Sequence, residues 1–467
     1  MLPFGAVRHG SRICLSYRND FHSPPRPRPK TRPKPRPAGT LSFYLRNGAV
    51  VGIIKLASVP LVLSISVLLA RWLGPQEYGV YAIAWSLAAI GAAAASGGVS
   101  QFLTRRVAEL HKSGRQPEIR PHIAAAMLLV SLAALLYLLL LAAGWSARAL
   151  PLPLTGGTVA LIFLVAAFIG VINIGSAALR GLERAAEGQL CLLILAPAAS
   201  AAALLLMISL TGSRTAWAAL AAMAAGYGLG AVLSQWRLRR LTAGFRGTAD
   251  TARAPALVRP VAAQSKTYIA YAVLMILGLQ LNLLLVGVLL QEEHVSYYNL
   301  ADKAAQFAAL PVGILELLMA TRVVSLYSQG NFDGLRKLYL TLTLAGFAAA
   351  LLIAAPLYVF GEEIIRLLLG QTYAGGIYPV MLLLLAAQLV RAAFGPVTVM
   401  LLMTGHQAYC VASQLTGAAV LATATWLLVP HYGLQGAGMA ATAGVLAAYL
   451  PLAAGGYRTL GLRLPLL

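Results

Sequence analysis

A polar stripe within one apolar segment is the feature of this sequence best suited to chemistry. Four polar or small residues recur at helical spacing in the segment 295–320, namely Asp302, Gln306, Gly313 and Glu316. That spacing places them on one face of a helix. A carboxylate at the centre of a membrane helix costs about 2.5–3.5 kcal/mol, so it is kept facing protein or water. The stripe predicts a hydrated cavity lining in which Asp302 or Glu316 could carry a proton or sodium ion. Alternatively, Asp302 lies near the outer interface and only Glu316 is deep.

Three cations also fall inside apolar segments: Lys55, Lys303 and Arg391. Arg391 lies near the middle of its segment, with Gln388 one turn before it. We predict that Arg391 is a cavity cation, or an ion-pair partner of Glu316 or Asp302, and that Gln388 lines the same space. Lys55 lies closer to the end of its segment, where a lysine can instead extend its ammonium to the membrane surface.

The elements that must position these residues are membrane-spanning helices. Of the 467 residues, 59% are hydrophobic and 11% are charged, which is too apolar for a soluble protein of this length. Runs of about 20 apolar residues are long enough to cross a bilayer as helices. We predict an all-α polytopic membrane protein with about twelve transmembrane helices, near residues 48–70, 79–103, 122–144, 154–178, 189–211, 214–236, 267–290, 295–320, 338–360, 376–402, 409–430 and 434–456.

The net charge of +22 follows the membrane topology and does not indicate a nucleic-acid partner. Of the 36 Lys and Arg residues, most fall on one alternate set of loops and on the termini. The opposite loops hold only Arg71, Arg148, Arg214 and Arg366. Because cytoplasmic loops are enriched in Lys and Arg, both termini are expected to be cytoplasmic. We also expect the basic face to meet anionic lipids.

A faint internal repeat divides the chain into two halves. Tyr298, Ala301 and Thr321-Arg322 follow Tyr81, Ala84 and Thr104-Arg105 at one constant offset. Two related bundles that rock about a shared central site are typical of transporters. We predict four regions: a disordered basic Pro/Arg-rich tail at 1–46, a six-helix bundle at 47–240, a cytoplasmic linker loop at 241–266 and a second six-helix bundle at 267–467.

The sequence offers little support for an enzyme. No nucleotide-binding, hydrolase or metalloprotease motif is present, and Cys14, Cys191 and Cys410 lack metal-ligand spacing. Glu292-Glu293 and Glu362-Glu363 lie on short outer loops, where adjacent side chains of a helical turn point in different directions. We therefore expect no catalytic residue, no metal and no cofactor.

Several motifs resemble those of one transporter family. They are LLARWLGPQEYGVYAIA, ALRGLERAAEG, EEHVSYYNLADKAAQFAALPVGI, RLLLGQTYAGGIYPVMLLLLAAQLV, LLMTGHQAY and LVPHYGLQGAGMAATAG. Together they resemble bacterial oligosaccharide and polysaccharide flippases, the O-antigen-repeat exporters. This family belongs to the multidrug/oligosaccharidyl-lipid/polysaccharide exporter superfamily. The resemblance covers residues 45–455, and Glu316 departs from the apolar residue expected at its position.

The resemblance implies a V-shaped pair of six-helix bundles around a cationic cavity in the bacterial inner membrane. The implied cargo is an undecaprenyl-diphosphate-linked oligosaccharide, moved outward by alternating access for polysaccharide or lipopolysaccharide biosynthesis. Lys55, Arg391 and Lys303 would then bind the diphosphate, because cations favour phosphate oxygens. Polysaccharide-assembly proteins are possible further partners.

Three other functions stay open from the sequence. A peptidoglycan-precursor flippase of the same superfamily would carry similar cargo. A multidrug or cation exporter is expected to have carboxylates in its first bundle to bind a cation. The predicted spans of the first bundle contain Lys55 and no central carboxylate, which argues against this function. A membrane enzyme or scaffold of polysaccharide assembly is the non-transport alternative.

Overall fold

The computed structural model describes residues 39–147, 153–245 and 254–462. The predicted tail falls mostly on residues 1–38, outside the described ranges, although the backbone is already helical from Gly39. Fourteen α-helices carry the described chain: α1 (Gly39–Ala92), α2 (Gly98–Lys112), α3 (Ile119–Ser146), α4 (Gly156–Gly181), α5 (Ala185–Leu190), α6 (Ala196–Thr211), α7 (Ala216–Thr242), α8 (Ala254–Leu289), α9 (Glu292–Ser328), α10 (Phe332–Val359), α11 (Gly361–Leu369), α12 (Gln371–Phe394), α13 (Val397–Met403) and α14 (Gln407–Leu460).

Two of these helices each contain a break and form two spans. Gly74 in α1 has φ 76° and Gly433 in α14 has φ 55°, which is backbone that glycine adopts without the steric cost of a Cβ. The π-turns Ala93–Gly97 and Cys191–Leu195 join α1 to α2 and α5 to α6 into continuous rods. Among the described residues, nine segments are long and apolar enough to cross a membrane. Two of them, Val50–Lys112 and Gln407–Leu460, contain the breaks.

Helix α9 accounts for the remaining predicted span. It runs 37 residues without interruption and continues through Pro311, so the proline does not break the helix. At 1.5 Å per residue it is about 55 Å long, more than the hydrocarbon core requires. The polar stripe lies along it.

The internal repeat has a counterpart in the helices. The rod that follows the Gly74 break ends at Lys112, and α9 begins at Glu292 and ends at Ser328. These bounds differ by nearly the same offset that relates Tyr81 to Tyr298. The second spanning helix of each half therefore has the same length and register. We call the side of the Gly74 turn the outer side, and the side of the α2–α3 turn the inner side.

The chain is less separable at its centre than predicted. Helix α7 continues to Thr242 and helix α8 begins at Ala254, so more than half of the predicted linker 241–266 is helical. Val261 is 2% exposed and belongs to a core formed with α2, α3 and α4. The cause is an amphipathic start to α8, which places Leu257, Val258 and Val261 on one face.

The apolar cores are arranged differently on the two sides. On the outer side one core joins both halves, with residues such as Tyr81 of α1, Ala301 of α9 and Ile377 of α12. On the inner side one core packs the first part of α8 against α2–α4, and another surrounds α10, α12–α14 and the end of α9. The two halves are therefore in contact on both sides, through the shared core on the outer side and through α8 on the inner side.

Candidate substrate pathway

The predicted stripe on α9 faces open space. The Nε2 of Gln306 donates to Asp302 Oδ2 at 2.6 Å. A Cβ added at Gly313 would meet no atom within 4 Å, and the Glu316 side chain is half-buried. Carboxylates and amides of a membrane helix are usually kept facing protein or water and not hydrocarbon. A hydrated lining along this face stays a prediction.

Lys303 points away from the stripe and towards the first half. Its Nζ donates to Ser66 Oγ at 2.8 Å and to Tyr78 Oη at 3.2 Å. Tyr78 in turn donates to Asn299 Oδ1 at 3.0 Å. A lysine on α9 is thus held by two residues of α1, and it joins the halves on the outer side.

Arg391 lies beside Glu316 and Tyr449 in the second half. All three interact electrostatically, but the direct ion pairs formed by the described residues do not include Arg391. Gln388, one turn away on α12, has a buried Oε1 without a hydrogen-bond partner. A half-buried guanidinium with no bound carboxylate, next to an unused amide oxygen, is suited to an anion that also carries hydroxyl groups.

Lys55 is exposed on the inner half of α1. Its neighbours Ile53 and Leu56 are also exposed, at 64% and 48%, and Ser58 Oγ donates back to the Lys55 carbonyl at 2.7 Å. This part of α1 projects away from the protein core. Its ammonium is therefore free to meet a ligand or the membrane surface.

The three predicted cations do not form one site. Thirteen residues of continuous helix separate Lys303 from Glu316, the neighbour of Arg391, a rise of ~20 Å. Eleven residues separate Lys55 from Ser66, the partner of Lys303, a rise of ~16 Å. Lys55 and Arg391 therefore lie at a similar depth towards the inner side, which we call the inner level. Lys303 lies nearer the outer side, at the outer level. A diphosphate bound to Lys55 and Arg391 could not also contact Lys303.

Further hydrogen bonds close the outer side around Lys303. Arg71 Nη2 donates to the Leu367 carbonyl at 2.6 Å, and its Nε donates to the Leu368 carbonyl. These carbonyls end α11, where a cation also meets the negative end of the helix dipole. Tyr373 Oη donates to the Ala70 carbonyl at 2.7 Å. Sequence reasoning missed all of these contacts, because each joins residues about 300 positions apart.

Two tyrosines near the ends of predicted spans lie inside the protein. Tyr78 is fully buried and Tyr298 is 5% exposed. The Nδ2 of Asn282 donates to Tyr298 Oη at 2.7 Å and to the Ala437 carbonyl at 3.0 Å, and Asn282 accepts from Thr425 at 2.9 Å. Asn282 therefore links α8, α9 and α14 through hydrogen bonds.

The acidic pairs on the outer loops have structural partners. Glu362 forms an ion pair with Arg366 at 2.8 Å, and Glu293 accepts a hydrogen bond from Tyr297. Within the described ranges, no cluster of three or more His, Cys, Asp or Glu side chains could hold a metal ion.

Residues 44–324 match the family described as polysaccharide biosynthesis protein. This chain belongs to that family. No protein with a curated function matches it in sequence.

Solved structures of similar fold are transporters and flippases. A multidrug resistance MATE family transporter of the MOP superfamily, in its inward-facing conformation, has a TM-score of 0.71 at 16% identity, covering 88% of this chain and 98% of that chain. The lipid II flippase MurJ, in an inward closed conformation, has a TM-score of 0.66 at 13% identity, covering 86% of each chain. A MOP superfamily transporter from Pyrococcus furiosus has a TM-score of 0.59 at 14% identity, covering 90% of this chain and 96% of that chain.

These likenesses confirm the predicted fold class. The chain is an all-α, multi-pass membrane protein with about twelve transmembrane helices in two related bundles. Its family and fold are those of membrane flippases and exporters in polysaccharide biosynthesis.

Proposed function

We propose that this protein moves an undecaprenyl-diphosphate-linked oligosaccharide from the inner to the outer leaflet of the bacterial cytoplasmic membrane. The product would serve polysaccharide or lipopolysaccharide biosynthesis, and the two bundles would alternate in their access to either side. The observation that carries the proposal is the inner level of Lys55 and Arg391, because neither cation has a direct ion pair among the described residues.

The physics of the cargo matches this arrangement. A sugar diphosphate cannot cross hydrocarbon unaided, whereas its polyprenyl tail need not leave it. A cavity between bundles would shield the headgroup, and the open inner level would receive it first. An inside-negative potential drives each negative charge outward by ~2.3 kcal/mol per 100 mV. Two phosphate charges would gain ~4.6 kcal/mol at 100 mV, which favours export without ATP.

Two transport alternatives differ in cargo. MurJ is named a lipid II flippase, and a peptidoglycan precursor would present the same diphosphate to Arg391. This chain covers 98% of the MATE chain but 86% of MurJ, so part of MurJ has no counterpart here. A cation exporter is disfavoured, because the described acidic residues of the first six spans lie near the helix ends and not at the centre.

The non-transport alternative is a membrane enzyme or scaffold of polysaccharide assembly. Its catalytic candidates were the paired glutamates of the outer loops. Glu362 instead forms an ion pair with Arg366, and Glu293 accepts a hydrogen bond from Tyr297. Both contacts are typical of residues with a structural role. We therefore propose that the chain is not an enzyme and that it needs no cofactor.

The test is leaflet accessibility in vesicles that contain only this chain. Four fluorescent cargoes would be compared: a polyprenyl-diphosphate oligosaccharide, a lipid II analogue, a neutral glycolipid and a cationic drug. Protein-dependent movement of the first alone supports the proposal. Equal movement of the lipid II analogue favours a peptidoglycan-precursor flippase, and movement of the drug alone favours a cation exporter.

A further inference from the structure

Lys303 occupies an unusual position for a buried cation. Its partners, Ser66 and Tyr78, are 3% and 0% exposed, while the lysine itself is half-buried. The ion pairs of the described residues do not include Lys303. Its sequence neighbour Asp302 is engaged by Gln306 at 2.6 Å. Among the described residues, the ammonium donates hydrogen bonds to neutral hydroxyl oxygens, while Asp302 attracts it electrostatically without forming an ion pair.

Neutral hydroxyls are weak partners for a buried ammonium. A hydrogen bond between two charged groups is about twice as strong as one between neutral groups, and buried charges in proteins are usually paired with an opposite charge. A lysine ammonium has three donors, of which two are used here. A phosphate oxygen that reached Lys303 would thus compete favourably with Ser66 and Tyr78.

Those same two hydroxyls belong to the other half of the protein. Ser66 lies before the Gly74 break and Tyr78 lies after it, so the ammonium binds both arms of the outer turn. Release of Lys303 would remove both bonds to α1. It would also leave Tyr78 held to α9 only by Asn299.

We propose that Lys303 is a charge-sensitive lock on the outer side, which an anionic headgroup opens by taking the ammonium from Ser66 and Tyr78. The inference rests on the proposed function, because it requires an anionic cargo. Lys55 and Arg391 bind the headgroup at the inner level, and the outer side stays closed until the headgroup has moved ~16–20 Å further along the helices. A neutral lipid leaves the lock shut.

The other outer contacts respond differently. Arg71 and Tyr373 donate to the backbone carbonyls of Leu367 and Ala70. Tyr373 is neutral, so the charge of the cargo does not act on it directly. Arg71 is a cation but is exposed, where water and salt screen an added anion. Among these contacts, the less exposed Lys303 is therefore the cation on which a cargo phosphate acts most strongly.

The experiment measures the outer distance between the halves. Nitroxide labels are placed at Gln76→Cys and Glu363→Cys, two exposed positions, in the full chain with Cys14, Cys191 and Cys410 replaced by serine. The protein is held in lipid nanodiscs, and undecaprenyl diphosphate is compared with undecaprenol, which has the same tail without charge. We expect undecaprenyl diphosphate, and not the alcohol, to add a population with a longer distance.

Two variants isolate the lock. Lys303→Met keeps a side chain of similar length and removes the charge together with both bonds to α1. The longer distance is therefore already populated without ligand, and undecaprenyl diphosphate adds no further shift although it still binds at the inner level. Ser66→Ala removes one acceptor and keeps the ammonium. The population with the longer distance is therefore present without ligand, and undecaprenyl diphosphate makes that population larger. Ser64→Ala is the matched control, because Ser64 Oγ bonds only within its own helix.

The outcomes separate the lock from the proposed function. Binding of undecaprenyl diphosphate is followed in parallel by native mass spectrometry. If the wild-type protein does not bind it, the proposed function and the lock both fall. If it binds but Lys303→Met shows the same distance change as wild type, or wild type shows none, the lock alone is overturned.

Discussion

In the proposed function, Arg391 is the residue on which binding of the cargo depends most. It is half-buried, with Glu316 nearby but not in direct contact, and the unpartnered Oε1 of Gln388 lies one turn away. A hydrogen bond to a charged group contributes about 1.5–3 kcal/mol, and each 1.4 kcal/mol is a factor of ten in affinity.

We predict that Arg391→Leu lowers transport of a diphosphate-linked oligosaccharide by about tenfold or more. The matched control is Arg366→Leu, which removes an exposed arginine already paired with Glu362. Initial rates in vesicles measure the effect. Wild-type rates in Arg391→Leu would remove this residue from the site and leave the transport function standing.

Asn282 joins three helices through buried hydrogen bonds. Replacing it with alanine would remove its bonds to Tyr298 and to the Ala437 carbonyl and one of the two hydrogen bonds of Thr425, which still donates to the Leu421 carbonyl. Each lost hydrogen bond costs about 0.5–1.5 kcal/mol, and a buried group left unsatisfied costs about 1–3 kcal/mol. We predict that Asn282→Ala lowers the unfolding temperature in detergent markedly. Thr423→Ala is the control, because the exposed Thr423 hydroxyl bonds only within its own helix. Similar unfolding temperatures for both variants would contradict the prediction.

At the residue scale, local spacing predicts which side chains share a face of a helix. That Asp302, Gln306 and Glu316 lie on one face of α9 follows from helical periodicity alone, while their role as a cavity lining stays a prediction. The partners of Lys303 could not be predicted, because Ser66 and Tyr78 lie more than 200 positions away in sequence. The different depths of Lys303 and Arg391 could not be predicted either, because they also depend on contacts between residues far apart in sequence.

At the scale of elements, the outer closure depends on a close approach between two helices. A Cβ on Gly79 would lie 1.8 Å from the carbonyl oxygen of Glu292 in the first turn of α9. Since backbone cannot move aside as a side chain can, any larger residue must push the second part of α1 away from α9. Gly79 is therefore required for the closed outer side.

We predict that Gly79→Ala shifts the labelled protein towards longer outer distances without any ligand. Gly375→Ala is the control, because a Cβ there meets no atom within 4 Å. Spin-label distances between Gln76→Cys and Glu363→Cys measure the shift, and helical content by circular dichroism checks that the variant is folded. Unchanged distances in folded Gly79→Ala would contradict the role of this contact.

Most elements were predictable, and the exceptions have identifiable causes. Length and apolar composition located the spans, because a bilayer demands ~20 residues of helix. The short helix α11 was missed because its nine residues are too few for a span. The helical start of α8 was missed because its arginines were counted as loop charge, although Val261 packs against the first half.

At the scale of the whole molecule, charge asymmetry determines the expected orientation. The few cations on the opposite loops, such as Arg71 and Arg366, contrast with the many on the α2–α3 and α7–α8 connections. We therefore propose cytoplasmic termini and two functional halves, at 47–240 and 267–467. The proposed basic face would lie against anionic lipids and would be available to polysaccharide-assembly proteins.

We predict that Ser113 lies on the cytoplasmic side and Gly212 on the opposite side. In a bacterial host, green fluorescent protein fused after Ser113 should fluoresce and alkaline phosphatase fused there should be inactive. The two reporters should show the reverse pattern when fused after Gly212. These two positions lie on successive sets of turns, so they control for each other. The opposite pattern would invert the proposed direction of transport.

On the outer side of this structure, one core joins residues of both halves and closes that side. On the inner side, the first part of α8 packs against α2–α4, and a second core lies around α10 and α12–α14. Sequence could predict two halves from the repeat, but not which ends meet. That choice depends on tertiary contacts such as Arg71 with α11, which leave no local pattern.

Outward movement of a diphosphate-linked oligosaccharide by this chain alone is the central claim. The most direct measurement uses vesicles without nucleotide, an imposed inside-negative potential and a fluorescent cargo that an external reagent can quench. We predict that wild-type protein exposes the cargo to the reagent faster than empty vesicles, and faster as the potential increases. A rate equal to that of empty vesicles at every potential would contradict the account.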